Sequence, residues 1–221
     1  MISSSLSGPR LSPPGPATHL VVLVHGYGAD GRDLIALAGQ WRGVLPSAAF
    51  VAPNAPQRAP GTSGYQWFAL ARLDPVELRQ GVAEAAPVLD AFCDAELQRL
   101  SLPPERLILA GFSQGTMLSL HVGLRRAAPP AAVVGFSGVL TEPPPVRADG
   151  PPVFLAHGDI DQVVPAAALP AAIDLLTAAG RRVQWHLARG VGHGIDPETL
   201  ILAGRFLGQV SRGEMPPTGP V

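Results

Sequence analysis

The chain has 221 residues, enough for one domain with its own core, and a net charge of −1 at pH 7. That balance gives no electrostatic pull toward nucleic acid or an anionic bilayer, so neither a nucleic-acid partner nor membrane attachment by charge is expected. Glycine and proline make up 50 residues, yet they fall in clusters between regular apolar segments, so a folded protein rather than a disordered one is expected.

Residues 1–18 offer at most an edge strand. They lack a basic start followed by an apolar core, so no secretory signal is expected and the cytoplasm is the expected compartment. A fully apolar strand follows over 20–25, too short to span a bilayer, and no stable membrane insertion is expected. The pattern then predicts a short helix over 33–44, a strand over 48–52 and a long loop to about residue 74. From 76 to 100, Val82, Ala85, Leu89, Phe92 and Leu97 keep helical spacing, with a kink or break at Pro87. Cys93, the single cysteine, lies in this stretch; it excludes an internal disulfide and reads as a buried, inert thiol. Next come strand 106–110, helix 114–127, strands 131–136 and 152–157, helix 166–179, strand 182–188 and helix 197–211. The Pro/Gly-rich tail 213–221 is expected to fray. Short apolar strands alternating with helices give an α/β fold: a mostly parallel central sheet with helices on both faces, in one domain over 19–212.

The most specific motif is Gly111-Phe112-Ser113-Gln114-Gly115, directly after an apolar strand and before a helix. That is the sequence form of a nucleophile elbow, in which a sharp turn exposes a serine hydroxyl and the flanking glycines avoid collision with neighbouring backbone. Sites in such sheets form at the carboxyl ends of strands. Two other ends supply an acid, in His157-Gly158-Asp159-Ile160-Asp161, and a base, in Gly190-Val191-Gly192-His193-Gly194. A serine hydroxyl needs a neutral imidazole to take its proton, and the imidazole needs a carboxylate to fix its tautomer. Asp161 is preferred to Asp159 because it lies further into the loop toward His193; Asp159 is left to hold that loop. Backbone N–H groups of Gln114 and of Tyr27, in His25-Gly26-Tyr27-Gly28, are the candidate oxyanion donors.

The same glycine loop contains a competitor. Gly26-x-Gly28-x-x-Gly31 follows a strand and opens a helix, as a dinucleotide-binding fingerprint does, but residues 47–54 carry no acid for the ribose. An oxidoreductase also leaves Ser113, Asp161 and His193 without a role. His25 and His157 read as loop buttresses, Ser137 as structural, His121 as core and His19 as surface. His157, Asp159 and Asp161 have alternating spacing but no second ligand cluster, so no metal and no cofactor is expected.

With these residues placed, the chain resembles the phospholipase/carboxylesterase family of α/β-hydrolases, which includes acyl-protein thioesterases and bacterial carboxylesterases. The resemblance runs from about 20 to 207. It rests on Leu23-Val24-His25-Gly26-Tyr27-Gly28-Ala29-Asp30-Gly31, Ala52-Pro53-Asn54-Ala55-Pro56, Gln66-Trp67-Phe68, the elbow, His157-Gly158-Asp159-x-Asp161-x-Val163-Val164-Pro165 and Gly192-His193-Gly194-Ile195. It implies an α/β-hydrolase fold without a large cap domain, with Ser113 as nucleophile, Asp161 as acid, His193 as base and the Tyr27 and Gln114 amides for the oxyanion. The expected function is a serine hydrolase cleaving carboxylic esters, with thioesters and lysophospholipids in scope; the alternative is a non-catalytic binding protein on the same fold.

For the substrate, Trp67, Phe68, Leu70 and Leu73 in the long loop, with Met117, Val163, Val164 and Ile195 near the triad, are candidates to line an apolar acyl pocket. Trp67 and Phe68 serve equally as packing of the loop onto the body, or as a dimer surface. Arg58 and Arg72 are the candidates to touch a head group. A monomer and a homodimer are both compatible with the sequence.

Overall fold

The computed structural model describes residues 6–72, 74–147 and 149–221; Leu73 therefore lies outside the described residues. In chain order the first half holds β1 (Arg10–Leu11), β2 (His19–Val24), α1 (Gly31–Ile35), α2 (Leu37–Trp41) and β3 (Ala48–Val51). A small hairpin of β4 (Gln57–Arg58) and β5 (Tyr65–Gln66) precedes α3 (Pro75–Leu100), β6 (Leu107–Phe112) and α4 (Gln114–Arg125). Then follow β7 (Ala132–Phe136), β8 (Val153–Gly158), α5 (Ala168–Ala178), β9 (Val183–Ala188), α6 (Pro197–Ser211) and β10 (Gly219–Pro220).

The strands form one eight-stranded sheet in the order β1-β3-β2-β6-β7-β8-β9-β10, parallel throughout except where β1 meets β3. Strand residues alternate between two cores. Leu20, Val22, Val24, Leu107, Leu109 and Val133 face α3, α4 and α5, while Val21, Leu23, Ile108, Ala110, Val134 and Phe136 face α1, α2 and α6. A sheet covered on both faces explains why β2 is apolar at successive positions and buried along its length. The chain leaves β2 toward β3 on one side and returns to β6 on the other. A crevice therefore opens beyond the carboxyl ends of β2 and β6, where ligands bind in sheets of this kind. No helix among the described residues is long and apolar enough to cross a membrane.

Four expectations change. The helix expected over 33–44 is two short helices, the first starting at Gly31 because Asp30 and Asp33 form a reciprocal capping box. Pro87 does not break α3, which runs through it with Pro87 on the exposed face; the lost N–H leaves the Ala83 carbonyl without its helical partner. The tail does not fray: β10 pairs parallel with β9, and Val221 N–H donates to Trp185 O at 3.0 Å. Proline is tolerated there because an edge strand leaves N–H positions unpaired. His19, expected on the surface, is buried at the start of β2, and Cys93 is buried, with its thiol pushed up by desolvation.

Candidate active site

Strand β6 delivers Ser113 at φ 53° and ψ −115°, a conformation that costs an L-residue energy and persists only where the surroundings enforce it. The enforcement is visible. Ser113 N–H donates to Phe136 O at 2.8 Å, and Thr116 and Met117 N–H close back onto Ser113 O at 3.0 and 3.2 Å. A Cβ on Gly115 would lie 1.9 Å from Val24 O, and one on Gly111 would lie 2.3 Å from Gly115 O, so both positions must be glycine for the turn to pack against β2. Thr116 Oγ1 accepts from Phe136 N–H at 2.9 Å, tying the first turn of α4 to the end of β7.

The acid and base loops leave β8 and β9 side by side. Asp159 Oδ1 accepts from Gly190 N–H at 2.6 Å, and Ile160 N–H donates to Val191 O at 3.2 Å. Asp161, with its side chain fully shielded, accepts His193 Nδ1–H on Oδ2 at 2.8 Å and the Val163 and Val164 amides on Oδ1 at 2.8 and 2.9 Å. His157 Nε2 lies 2.9 Å from Val164 O and 3.2 Å from Asp161 Oδ2, so the buried histidine braces the carboxylate. Burial by itself raises the Asp161 carboxyl; the hydrogen bonds from His193 and the two amides outweigh it, and the net shift is below the usual carboxylate range. Because Nδ1 is committed to Asp161, Nε2 is the basic nitrogen of His193. The His193 ring packs against Phe112 at 4.9 Å between centroids. Ser113 and His193 border the same cavity, with no hydrogen bond between them among the described residues; such bonds commonly tighten only around a substrate.

Across the crevice, the loop after β2 is pinned by the hairpin. Gly28 N–H donates to Tyr65 O and Tyr65 N–H to Ala29 O, each at 2.8 Å. His25 is fully buried; Nδ1–H donates to Gly26 O at 2.7 Å and Nε2 accepts from Ala55 N–H at 3.0 Å, which fixes a neutral tautomer. Burial holds its pKa below the ordinary histidine value, against the raising effect of the Gly26 carbonyl. The Tyr27 and Gln114 amides have no acceptor among the described residues, and Gln114 opens α4, where the helix dipole favours negative charge. Gly31 N–H, which in a dinucleotide site would face phosphate, donates instead to Asn54 Oδ1 at 2.8 Å. That glycine pattern is accounted for by loop packing.

The cavity measures about 400 Å³, within the range that holds a small organic ligand. Leu70, Met117, Val163 and Val164 line it, as do Ala71, Arg72 and Phe112. Trp67, Phe68 and Ile195 do not. Trp67 turns inward to donate Nε1–H to His25 O at 3.0 Å, Phe68 sits tightly over Gly81 of α3, and Ile195 packs against the core on the α6 face. Being interior, Trp67 serves neither as a substrate wall nor as a dimer surface. The loop's contribution comes from Leu70 to Arg72, whose backbone is held by Glu77: Ala71 and Arg72 N–H donate to its carboxylate at 2.9 and 2.7 Å. Arg58 is away from the cavity, stacked over Tyr65 with its guanidinium carbon 4.3 Å from the ring centroid. The side-chain roles of Gln114, Thr116, Glu77 and Phe112 were absent from the sequence reading. Of these, only Gln114 carries a signal in the sequence, as a polar residue at the first position of the helix that follows the elbow.

Comparison with known proteins fits this geometry. The sequence profile of the phospholipase/carboxylesterase family matches residues 11–211. The chain is 28% identical to acyl-protein thioesterase 1 of Gibberella zeae over 244 aligned residues, covering 96% of this chain and 99% of that protein. The crystal structure of esterase PE8 superposes with a TM-score of 0.87 at 43% identity, over 93% of this chain and 99% of the other. A Bacillus cereus carboxylesterase shares the fold with a TM-score of 0.81 at 17% identity, over 94% of this chain and 96% of the other.

Proposed function

The chain belongs to the phospholipase/carboxylesterase family of α/β-hydrolases, and from that premise we propose that it is a serine hydrolase of carboxylic esters and thioesters with an apolar acyl group, acting through an acyl-enzyme on Ser113. The observation that carries the reading is the 2.8 Å bond from His193 Nδ1 to the shielded Asp161, on a cavity shared with a strained Ser113. In the proposed reaction His193 Nε2 takes the Ser113 proton as Oγ attacks the substrate carbonyl. Asp161 stabilises the resulting imidazolium without itself being protonated. The tetrahedral oxyanion lies between the Tyr27 and Gln114 amides, each such donor contributing ~3 kcal/mol. His193 then gives its proton to the leaving alcohol or thiol, and water, deprotonated by the same nitrogen, releases the acid.

The apolar lining supports an acyl chain rather than a charged group beside Ser113. Leu70, Met117, Val163 and Val164 form the wall, and Arg72, the one formal cation among the described lining residues, lies at its exposed edge. Ester and thioester share the same oxyanion, so both are included. Hydrolysis of p-nitrophenyl esters from acetate to palmitate tests the reading. Wild type is expected to turn over at least one length, and Ser113→Ala to lose ~10⁶-fold in kcat. Full activity in Ser113→Ala, or an inert wild type across the series, contradicts it.

A further inference from the structure

We propose that the Gln114 side chain, beyond its amide, is a positioning residue that sets the two oxyanion donors at a fixed separation. The inference rests on the reading that Ser113 is the nucleophile and that the Tyr27 and Gln114 amides receive the oxyanion. The structural basis is a continuous buried chain. Gln114 Oε1 accepts from Trp67 N–H at 2.9 Å and Nε2 donates to Phe68 O at 2.8 Å. Trp67 Nε1–H donates to His25 O at 3.0 Å, two residues before Tyr27, and His25 in turn binds Gly26 O and Ala55 N–H. Gln114 and His25 are fully buried and Trp67 nearly so. The side chain of the residue that presents one donor therefore reaches, through one indole, the loop that presents the other.

The chemistry of the fork accounts for glutamine at this position. It must offer one acceptor and one donor to consecutive backbone groups, Trp67 N–H and Phe68 O. A carboxylate would lack the donor and oppose the carbonyl, an asparagine would be one methylene short, and an apolar side chain would leave both backbone groups unpaired. Phe68 is itself wedged on Gly81, so the far end of the fork is anchored to α3 rather than to a mobile loop.

The test compares kcat and KM of Gln114→Met, Trp67→Phe and their double variant on one p-nitrophenyl ester. Methionine keeps the volume approximately and removes the fork; phenylalanine keeps an aromatic ring at this buried position and removes the indole N–H together with part of the ring. Misplacing a reacting group by about 1 Å costs up to ~10²-fold. Gln114→Met is expected to lose ~10- to 100-fold in kcat with KM within about threefold, and Trp67→Phe several-fold, also in kcat. Because both links lie in one series, the double variant is expected to lose no more than Gln114→Met alone. Wild-type kcat in the folded single variants, losses confined to KM, or losses that multiply in the double variant overturn the proposal. If Gln114→Met does not fold, Trp67→Phe decides by its kcat. Ser113→Ala run alongside separates the two levels: activity there defeats the hydrolase reading, whereas an inactive Ser113→Ala with unimpaired Gln114→Met defeats this inference only.

Discussion

Asp161 receives hydrogen bonds on both oxygens, and these outweigh the burial that would otherwise favour its neutral form. Its folded pKa is therefore below the unfolded value of ~3.9. A group depressed in this way adds stability that is fully present above the unfolded value and is lost as pH falls through the folded one. Asp161→Asn is expected to cost ~10⁴-fold in kcat, because the His193 tautomer is no longer enforced. Its stability deficit relative to wild type is expected to narrow as pH falls from 5 to 2. Urea denaturation midpoints of both proteins across that range check the second part, and a deficit that widens toward low pH would contradict it. At this scale Ser113, Asp161 and His193 were legible because each sits at a strand end with its own glycine-rich turn. The bracing of Asp161 by His157 was not legible in detail, since it depends on how the 157–164 loop folds back on itself.

Among the elements, α3 shows what periodicity conveys and what it omits. The apolar spacing marks the buried face correctly, with Val82, Ala85, Leu89, Phe92 and Leu97 in the core. The same pattern cannot say that the helix tolerates Pro87, because tolerance depends on the ring facing solvent while the buried face stays continuous. Pro87→Ala restores a donor for the Ala83 carbonyl and removes the ring clash. It is expected to stabilise the protein by ~1–3 kcal/mol, read as a rise in denaturation midpoint at unchanged slope; a drop would mean that neighbouring packing requires the proline. The β4–β5 hairpin was missed for a different reason. Its two-residue strands, Gln57–Arg58 and Tyr65–Gln66, have no alternating apolar pattern, and its turn residues read simply as loop. Yet this hairpin holds the Tyr27 loop through Gly28 and Ala29.

For the molecule as a whole, the parallel sheet was legible because helices on both faces demand strands that are apolar on both sides. The two edges were not equally so. Arg10–Leu11 pairs antiparallel with β3 and is tied to α3 by the Arg10–Glu96 ion pair at 2.5 Å. At the opposite edge Gly219–Pro220 covers β9. Two residues of pairing leave almost no mark in composition, and a Pro/Gly-rich tail reads as frayed unless the free edge it covers is known. The cavity wall shows the same limit: Trp67 and Phe68 are apolar loop residues like Leu70, and only tertiary packing sends the first two inward and the third to the substrate side.

The assignment of Ser113 as an activated nucleophile, on which both the proposed reaction and the role of Gln114 depend, is tested most directly by reaction with a fluorophosphonate followed by mass spectrometry of the digested protein. A single adduct on the peptide carrying Ser113 is expected, with labelling abolished in Ser113→Ala and strongly slowed in His193→Ala. An unlabelled protein, or an adduct on another residue that survives Ser113→Ala, would contradict the assignment.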